Sequence, residues 1–157
     1  VALEEVIARL APRVTMLKWP NDLLVSGAKL SGILLERMGD NVVVGIGVNV
    51  AHHPDLADRA ATSLAAEGVA ITPMALLERL TGMFAAWLGI WRAQGLAPVV
   101  TRWLERAHAT GTPLIARLAD GSAMDGTFET MASDGALVLR LADGSTRVIH
   151  AGDVFLV

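Results

Sequence analysis

The sequence predicts an α+β fold: a mixed β-sheet with helices, followed by a small β-barrel. Three observations carry this expectation. A long helical pattern at 73–94 divides two groups of short apolar strands, one within 14–50 and one within 113–157. The texture changes at Thr110-Gly111, where helical spacing gives way to alternation. The second group is punctuated by Asp120-Gly121, Asp134-Gly135 and Asp143-Gly144, and Asp-Gly supplies the positive φ that tight hairpins need.

The elements follow in order. Leu3, Val6, Ile7 and Leu10 have helical spacing, and Pro12 ends that run. No capping residue precedes them, so this opening reads as the middle or end of a helix and the chain is expected to begin inside a larger protein. Val14 to Trp19 reads as a strand entering a turn at Pro20-Asn21-Asp22. Leu23–Val25 and Leu30–Glu36 read as a hairpin around Ser26-Gly27-Ala28, and Val42–Val50 as a long strand after Gly39-Asp40-Asn41. Residues 51–72 are polar and alanine-rich, with a short helix expected near 55–67. Thr72 is a candidate N-cap, and Pro73 takes the first helical position. From there Leu76, Leu80, Met83, Phe84, Trp87 and Trp91 share one face, read as core, until Gly95. A further helix is expected from 98 to 107, with Val99, Trp103 and Ala107 inward. Five strands follow, near 113–118, 123–130, 136–142, 145–150 and 153–157, which predicts an SH3-like barrel. The domain boundary is expected near 110, giving units 1–110 and 111–157.

Composition narrows the function. The formal net charge is −3, so a fold-wide basic field for nucleic acid is absent. Cysteine is absent, which removes disulfides and thiolate metal sites and is compatible with a cytoplasmic location. No apolar run reaches the ~18 residues of a membrane span.

The chemistry concentrates between Lys18 and Asn49. In the strand Val42–Val50, one face carries Val42, Val44, Ile46, Val48 and Val50. The other carries Val43, Gly45, Gly47 and Asn49. Adjacent glycines on one strand face pack nothing themselves, so something else lies flat against that backbone. A ligand and a packed chain segment both remain open from spacing alone. The Gly-x-Gly is no dinucleotide fingerprint, because no helix-opening third glycine follows. Lys18 and Lys29 stand among apolar residues, and a hairpin can bring two ammonium groups to one region of a sheet. That arrangement suits an anionic ligand; two snorkelling surface lysines fit the spacing as well. Asp22, alone, reads as a turn residue. His52 and His53 read as loop residues, since no third metal ligand stands at a suitable spacing.

Together these residues form a recognisable pattern. Lys18-Trp19-Pro20-Asn21-Asp22 resembles the K-W-P-N-D signature of biotin–protein ligases. Lys29-Leu30-Ser31-Gly32-Ile33-Leu34-Leu35-Glu36 is similar to their K-x-x-G-I-L-x-E element, and Val44-Gly45-Ile46-Gly47-Val48-Asn49 to the strand that follows it. The helical stretch and terminal barrel match the family's C-terminal order.

The resemblance implies a class II aminoacyl-tRNA synthetase/biotin synthetase-like catalytic sheet, incomplete here, with an SH3-like domain after it. It implies two reactions: biotin and Mg-ATP give biotinyl-5′-adenylate, and the biotinyl group then passes to a lysine of a carboxylase carrier domain. Lys29 matches the catalytic lysine, at the biotin carboxylate and phosphoryl oxygens. Gly32 and Leu34 match the biotin pocket, beside the glycine track of Gly45 and Gly47. Lys18, Asp22 and Asn49 match positions near the nucleotide, with Asn49 also near Mg²⁺. Lys29 and Gly32 have opposite strand parity, so a bulge near Ser31 is required if both face one ligand. A Gly/Arg-rich biotin and phosphate loop belongs upstream of the first helix and is absent from this sequence, so the isolated chain is not expected to complete the reaction. The partners implied are biotin carboxyl carrier protein and a second copy of the chain, with no membrane segment and no nucleic-acid interface evident in this sequence. A lipoate–protein ligase, or a non-enzymatic dimerisation module built on the valine-rich strand, are the competing readings.

Overall fold

The computed structural model describes residues 1–11, 15–55 and 59–156. The expectations at Pro12 and Val14, and the stretch 56–58, lie outside them. The chain forms two compact units, one of Val1–Leu17 with Asn21–Leu88 and one of Lys18–Pro20 with Gly89–Val157.

The first unit opens with α1, Ala2–Leu10, whose Leu3, Val6 and Ile7 are buried. Its sheet has the order β1-β2-β3-β4, formed by Thr15–Lys18, Asp22–Val25, Ala28–Met38 and Asn41–Val48. The β2–β3 and β3–β4 pairings are antiparallel. An isolated parallel bridge joins Lys29 to Ala61. The β2–β3 hairpin closes tightly: Val25 pairs with Ala28, and Ser26 and Gly27 take φ of 49° and 84°. Two successive positive φ values are what a two-residue hairpin of right-handed twist requires.

The helix expected near 55–67 is not formed over the described part of that range. Ala60 O accepts from Lys29 N at 2.9 Å, and Thr62 N donates to Lys29 O at 2.9 Å. Pairing with the strand takes the backbone groups that a helix would have used. Helix α2, Pro73–Gln94, starts where Thr72 Oγ1 accepts from Ala75 N at 3.2 Å. It ends at Gly95, whose φ is 77°. The expected inward face is only partly covered. Leu76 and Leu80 are buried, but Phe84 and Trp91 are 40% and 51% exposed. The helix is apolar around most of its circumference, so periodicity could not single out its covered stripe.

In the second unit, α3 spans Ala97–Leu104 and buries Trp103. Strands β5 to β9 are Pro113–Leu118, Ala123–Met131, Leu137–Arg140, Thr146–Ile149 and Gly152–Leu156. They form one antiparallel sheet in the order β8-β7-β6-β5-β9. The expected barrel is therefore not closed among the described residues: β8 and β9 remain sheet edges. Each Asp-Gly turn has glycine at φ of 83° to 91°, and Asp120, Asp134 and Asp143 accept the backbone N–H two residues on. The core gathers Trp103, Leu114, Phe128, Leu137, Leu139 and Val154.

Gly126 reports how tight that core is. A Cβ there would lie 2.5 Å from Arg140 O and 2.7 Å from Leu139 Cγ. Gly126→Ala is expected to cost roughly 1–3 kcal/mol, the usual penalty for overpacking. Gly89→Ala, in the helix with nothing within 4 Å, is expected to gain roughly 0.5–1 kcal/mol. Urea unfolding midpoints that move in opposite directions would bear this out; a midpoint unmoved by Gly126→Ala would contradict it.

Candidate functional site

The site is built on one face of β2, β3 and β4. Asp22 pairs with Gly32, and Gly32 with Gly47, so the three form a row across the strands. Leu34 pairs with Gly45 in the next row. Lys29 joins this face through a bulge. Leu23 pairs with Ser31 and Leu24 with Lys29, so Leu30 has no partner in the β2 register. The parity break lies one residue before Ser31, and Leu30 is fully buried. One extra residue turns Lys29 onto the side that Gly32 occupies.

Lys29 Nζ then lies 2.6 Å from Asp22 Oδ1, with the carboxylate side chain 5% exposed and the lysine side chain 28% exposed. A Cβ on Gly32 would stand 3.4 Å from Lys29 Cε and Nζ and 3.5 Å from Asp22 Oδ1. Glycine is thus what leaves room beside the ammonium. A Cβ on Gly47 would meet only Gly32 O, at 3.8 Å, and one on Gly45 only Leu34 atoms, at 3.6 and 3.9 Å. These glycines are not filling a crowded gap; they keep a strand face flat. Leu34, 63% exposed, borders the far end. The face therefore runs from a held ammonium, across bare backbone, to an apolar side chain.

A segment that sequence reasoning did not single out fixes this arrangement from the side. Residues 60–64 grip Lys29 by the two backbone bonds given above. Asn49 Nδ2 donates to Thr62 O at 2.9 Å and lies 3.5 Å from Lys29 O. Asn49 N donates to Leu30 O, and Leu64 N to Asn49 O. Thr62 Oγ1 in turn donates to Glu67 Oε1 at 2.6 Å. Asn49 is in part a clip that ties the end of β4 to this segment. Neither the amide at the end of a glycine track nor the motif match signalled this clip role.

Lys18 is engaged differently. Its Nζ lies 3.2 Å from Asp153 Oδ1 and 5.7 Å from the Phe155 ring centre, all within the second unit. His108, also there, is buried. Burial and then the Lys18 charge push its pKa below the ordinary histidine value. Among the described residues no three His, Cys, Asp or Glu side chains gather as a metal site. No helix of the described residues is long and apolar enough to cross a membrane.

Comparison with known proteins fits this geometry. Residues 1–105 match the model of the biotin/lipoate A/B protein ligase family, and residues 113–157 that of the biotin protein ligase C-terminal domain. A biotin–[acetyl-CoA-carboxylase] ligase of Paracoccus denitrificans is 42% identical over 150 residues, covering 88% of this chain and 62% of that protein. The ligase of the same name from Mycobacterium tuberculosis is 35% identical, covering 91% and 53%. This chain thus spans between half and two thirds of the length of those relatives. The biotin protein ligase of Aquifex aeolicus in complex with biotin and ATP superposes with a TM-score of 0.84 at 19% identity, covering 99% of this chain and 67% of that one; this likeness is one of fold.

The His108 environment gives a test by pH. Its folded pKa is depressed, so the unfolded chain binds the proton more readily. The stability it contributes is present above the ordinary histidine pKa and is lost as pH falls toward the folded value. Between about pH 7.5 and about pH 5, the urea midpoint of the natural sequence is expected to fall more than that of His108→Gln. Parallel pH profiles would contradict this.

Proposed function

This chain belongs to the biotin/lipoate A/B protein ligase family, and we propose that the protein it comes from is an ATP-dependent biotin–protein ligase. The observation that carries the reading is the Lys29–Asp22 pair at one end of the glycine floor, with Leu34 at the other. Biotin has a carboxylate at one end and a compact ring system at the other. Its chain or ring lies on the backbone of Gly32, Gly45 and Gly47, and its carboxylate meets Lys29.

The chemistry follows from charge. A carboxylate oxygen must attack the α-phosphate of ATP, so two anions meet and pyrophosphate leaves. Lys29 stabilises both oxyanions as charge develops between them. Asp22 holds the lysine side chain in position but leaves the ammonium partly open, ready to donate hydrogen bonds. In the second step a carrier-domain lysine amine attacks the acyl carbon and AMP departs. Magnesium enters with ATP as part of the substrate, bound chiefly by phosphate and water. Asn49 Nδ2 donates to the backbone, so any contact of Asn49 with that ion uses Oδ1. Lys18 and Asp22 act near the nucleotide. The relatives' name supports a carboxylase carrier as acceptor, a reaction of the cytoplasm, and the terminal sheet stands as an open SH3-like domain over 111–157. The Lys-Trp-Pro-Asn-Asp segment favours biotin over lipoate.

A second reading has one observation of its own. Val42, Val43 and Val44, on the last strand of the sheet order, are 59%, 48% and 39% exposed. An open, apolar edge strand is a template for pairing, so a homodimer through β4 accompanies the enzymatic reading. Sedimentation with and without biotin separates a ligand-linked dimer from a simple pairing module.

In the complete protein, pyrophosphate release is expected with biotin and ATP and not with lipoate. Release with lipoate alone would overturn the substrate assignment. Lys29→Met is expected to slow adenylate formation at least about a hundredfold, an effect larger than its lowering of the unfolding midpoint, which falls because the nearly buried Asp22 loses its ion-pair partner. Gly47→Val should fold at least as well, since its Cβ has room and valine favours strands, yet lose biotin affinity. Unchanged biotin affinity in a folded Gly47→Val protein would remove the glycine floor from the site.

A further inference from the structure

Strand β3 is paired by β2 on one edge and by β4 on the other, but β4 ends at Val48, opposite Ser31. Lys29 lies beyond that end. On the β2 side the bulge interrupts the ladder and leaves Leu30 without a partner, just where the backbone decides which face the ammonium takes. The other edge closes this gap. Lys29 N donates to Ala60 O and Thr62 N to Lys29 O, both at 2.9 Å, with Ala61 forming the bridge between them. The strip 60–62 is short, and the turn after it supplies its stiffness. Ser63 Oγ accepts from Ala66 N at 3.2 Å, Glu67 N donates to Ser63 O at 3.0 Å, and Val69 N donates to Leu64 O at 2.8 Å. That turn returns the Glu67 carboxylate to Thr62, whose hydroxyl donates to Oε1 at 2.6 Å. Thr62, Ser63 and Leu64 are all buried. A hydroxyl on a carboxylate at this length is a charge-assisted bond, roughly twice as strong as a neutral one.

We propose that Thr62 and Glu67 are positioning residues for the reacting lysine, acting through the backbone of Lys29. The inference rests on the ligase reading and deepens it. An ammonium stabilises a transition state only if its donors already point to where charge develops. A displacement of about 1 Å, caused far from the chemistry, can cost about a hundredfold in rate. Asp22 holds the far end of the lysine side chain, and the strip 60–62 holds its root. Thr62 O also accepts from Asn49 Nδ2 at 2.9 Å, so the same strip ties the end of the glycine-bearing strand to the lysine. Neither Thr62 nor Glu67 touches a reacting atom. Their effect falls on the chemical step through Lys29, and not on nucleotide affinity.

The test uses the complete protein with saturating biotin. Thr62→Val, which keeps the side-chain shape and removes the hydroxyl, is expected to lower kcat for adenylate formation roughly tenfold, with KM for ATP kept within about twofold. Thr62→Ser restores kcat. Glu67→Ala acts in the same direction, and the two changes together lower kcat no more than the larger one alone. In a Lys29→Met background, Thr62→Val adds nothing further, whereas a general loss of structure would lower the residual rate again. An unchanged kcat in Thr62→Val, a rise in KM with kcat kept, or the same tenfold loss in the Lys29→Met background overturns the proposal. A ligand-free readout separates this from the ligase reading: Thr62→Val should shift the Lys29 Nζ resonance and speed amide exchange at Lys29. If the natural sequence releases no pyrophosphate from biotin and ATP, the ligase reading falls, and these two signals decide the positioning role alone. Unmoved signals sink it. Should Thr62→Val not fold, Glu67→Ala carries the same readouts.

Discussion

The ion pair between Lys29 and Asp22 is the constraint on which the site depends. A lysine in a strand among apolar residues has two ordinary fates: its ammonium snorkels to water or its charge is lost. Here a nearly buried carboxylate from the neighbouring strand holds it 2.6 Å away. The bulge at Leu30 makes this possible, because it turns Lys29 onto the face of Gly32 and Gly47 while Leu30 goes to the core. Without that extra residue the ammonium and the glycine floor would stand on opposite sides of the sheet.

The floor is the second half of the same design. Glycine in a strand interior gives up packing and costs conformational entropy. Gly45 and Gly47 are not forced by crowding, since a Cβ at either position meets only ordinary contacts. Their cost is offset by something the isolated chain does not bury. Asn49 and residues 60–64 supply stiffness from the edge, so the face is held flat by backbone bonds rather than by side chains lying on it. Charge at one end and a flat apolar track beyond it is a geometry that selects for shape as well as sign.

Much of this was legible in the sequence, for specific reasons. The helix at 73–94 and the β5 strand at 113–118 have the predicted bounds, because Thr72-Pro73, Gly95 and the Asp-Gly turns are strong local signals. The need for a bulge followed from the parity of Lys29 and Gly32 once the family resemblance placed both at one ligand. What could not be read was set by distant partners. Residues 60–62 carry no strand pattern, yet they pair with Lys29 because that strand offered open backbone groups. Phe84 and Trp91 obey the helical period, yet they lie outside the buried stripe. The contact of Lys18 with Asp153 joins residues separated by most of the chain, and no spacing rule reaches that far. The closed barrel was an inference from strand number, whereas closure depends on β8 and β9 meeting, and among the described residues they do not pair.

The account reduces to a claim about where a carboxylate lands. It is tested most directly by following the Lys29 Nζ resonance while the complete protein is titrated with biotin, and in parallel with biotin methyl ester, which keeps the ring but not the charge. The account predicts a large, saturable shift with the acid and little or none with the ester. Equal shifts with both, or a resonance that ignores biotin while the protein binds it, would contradict it.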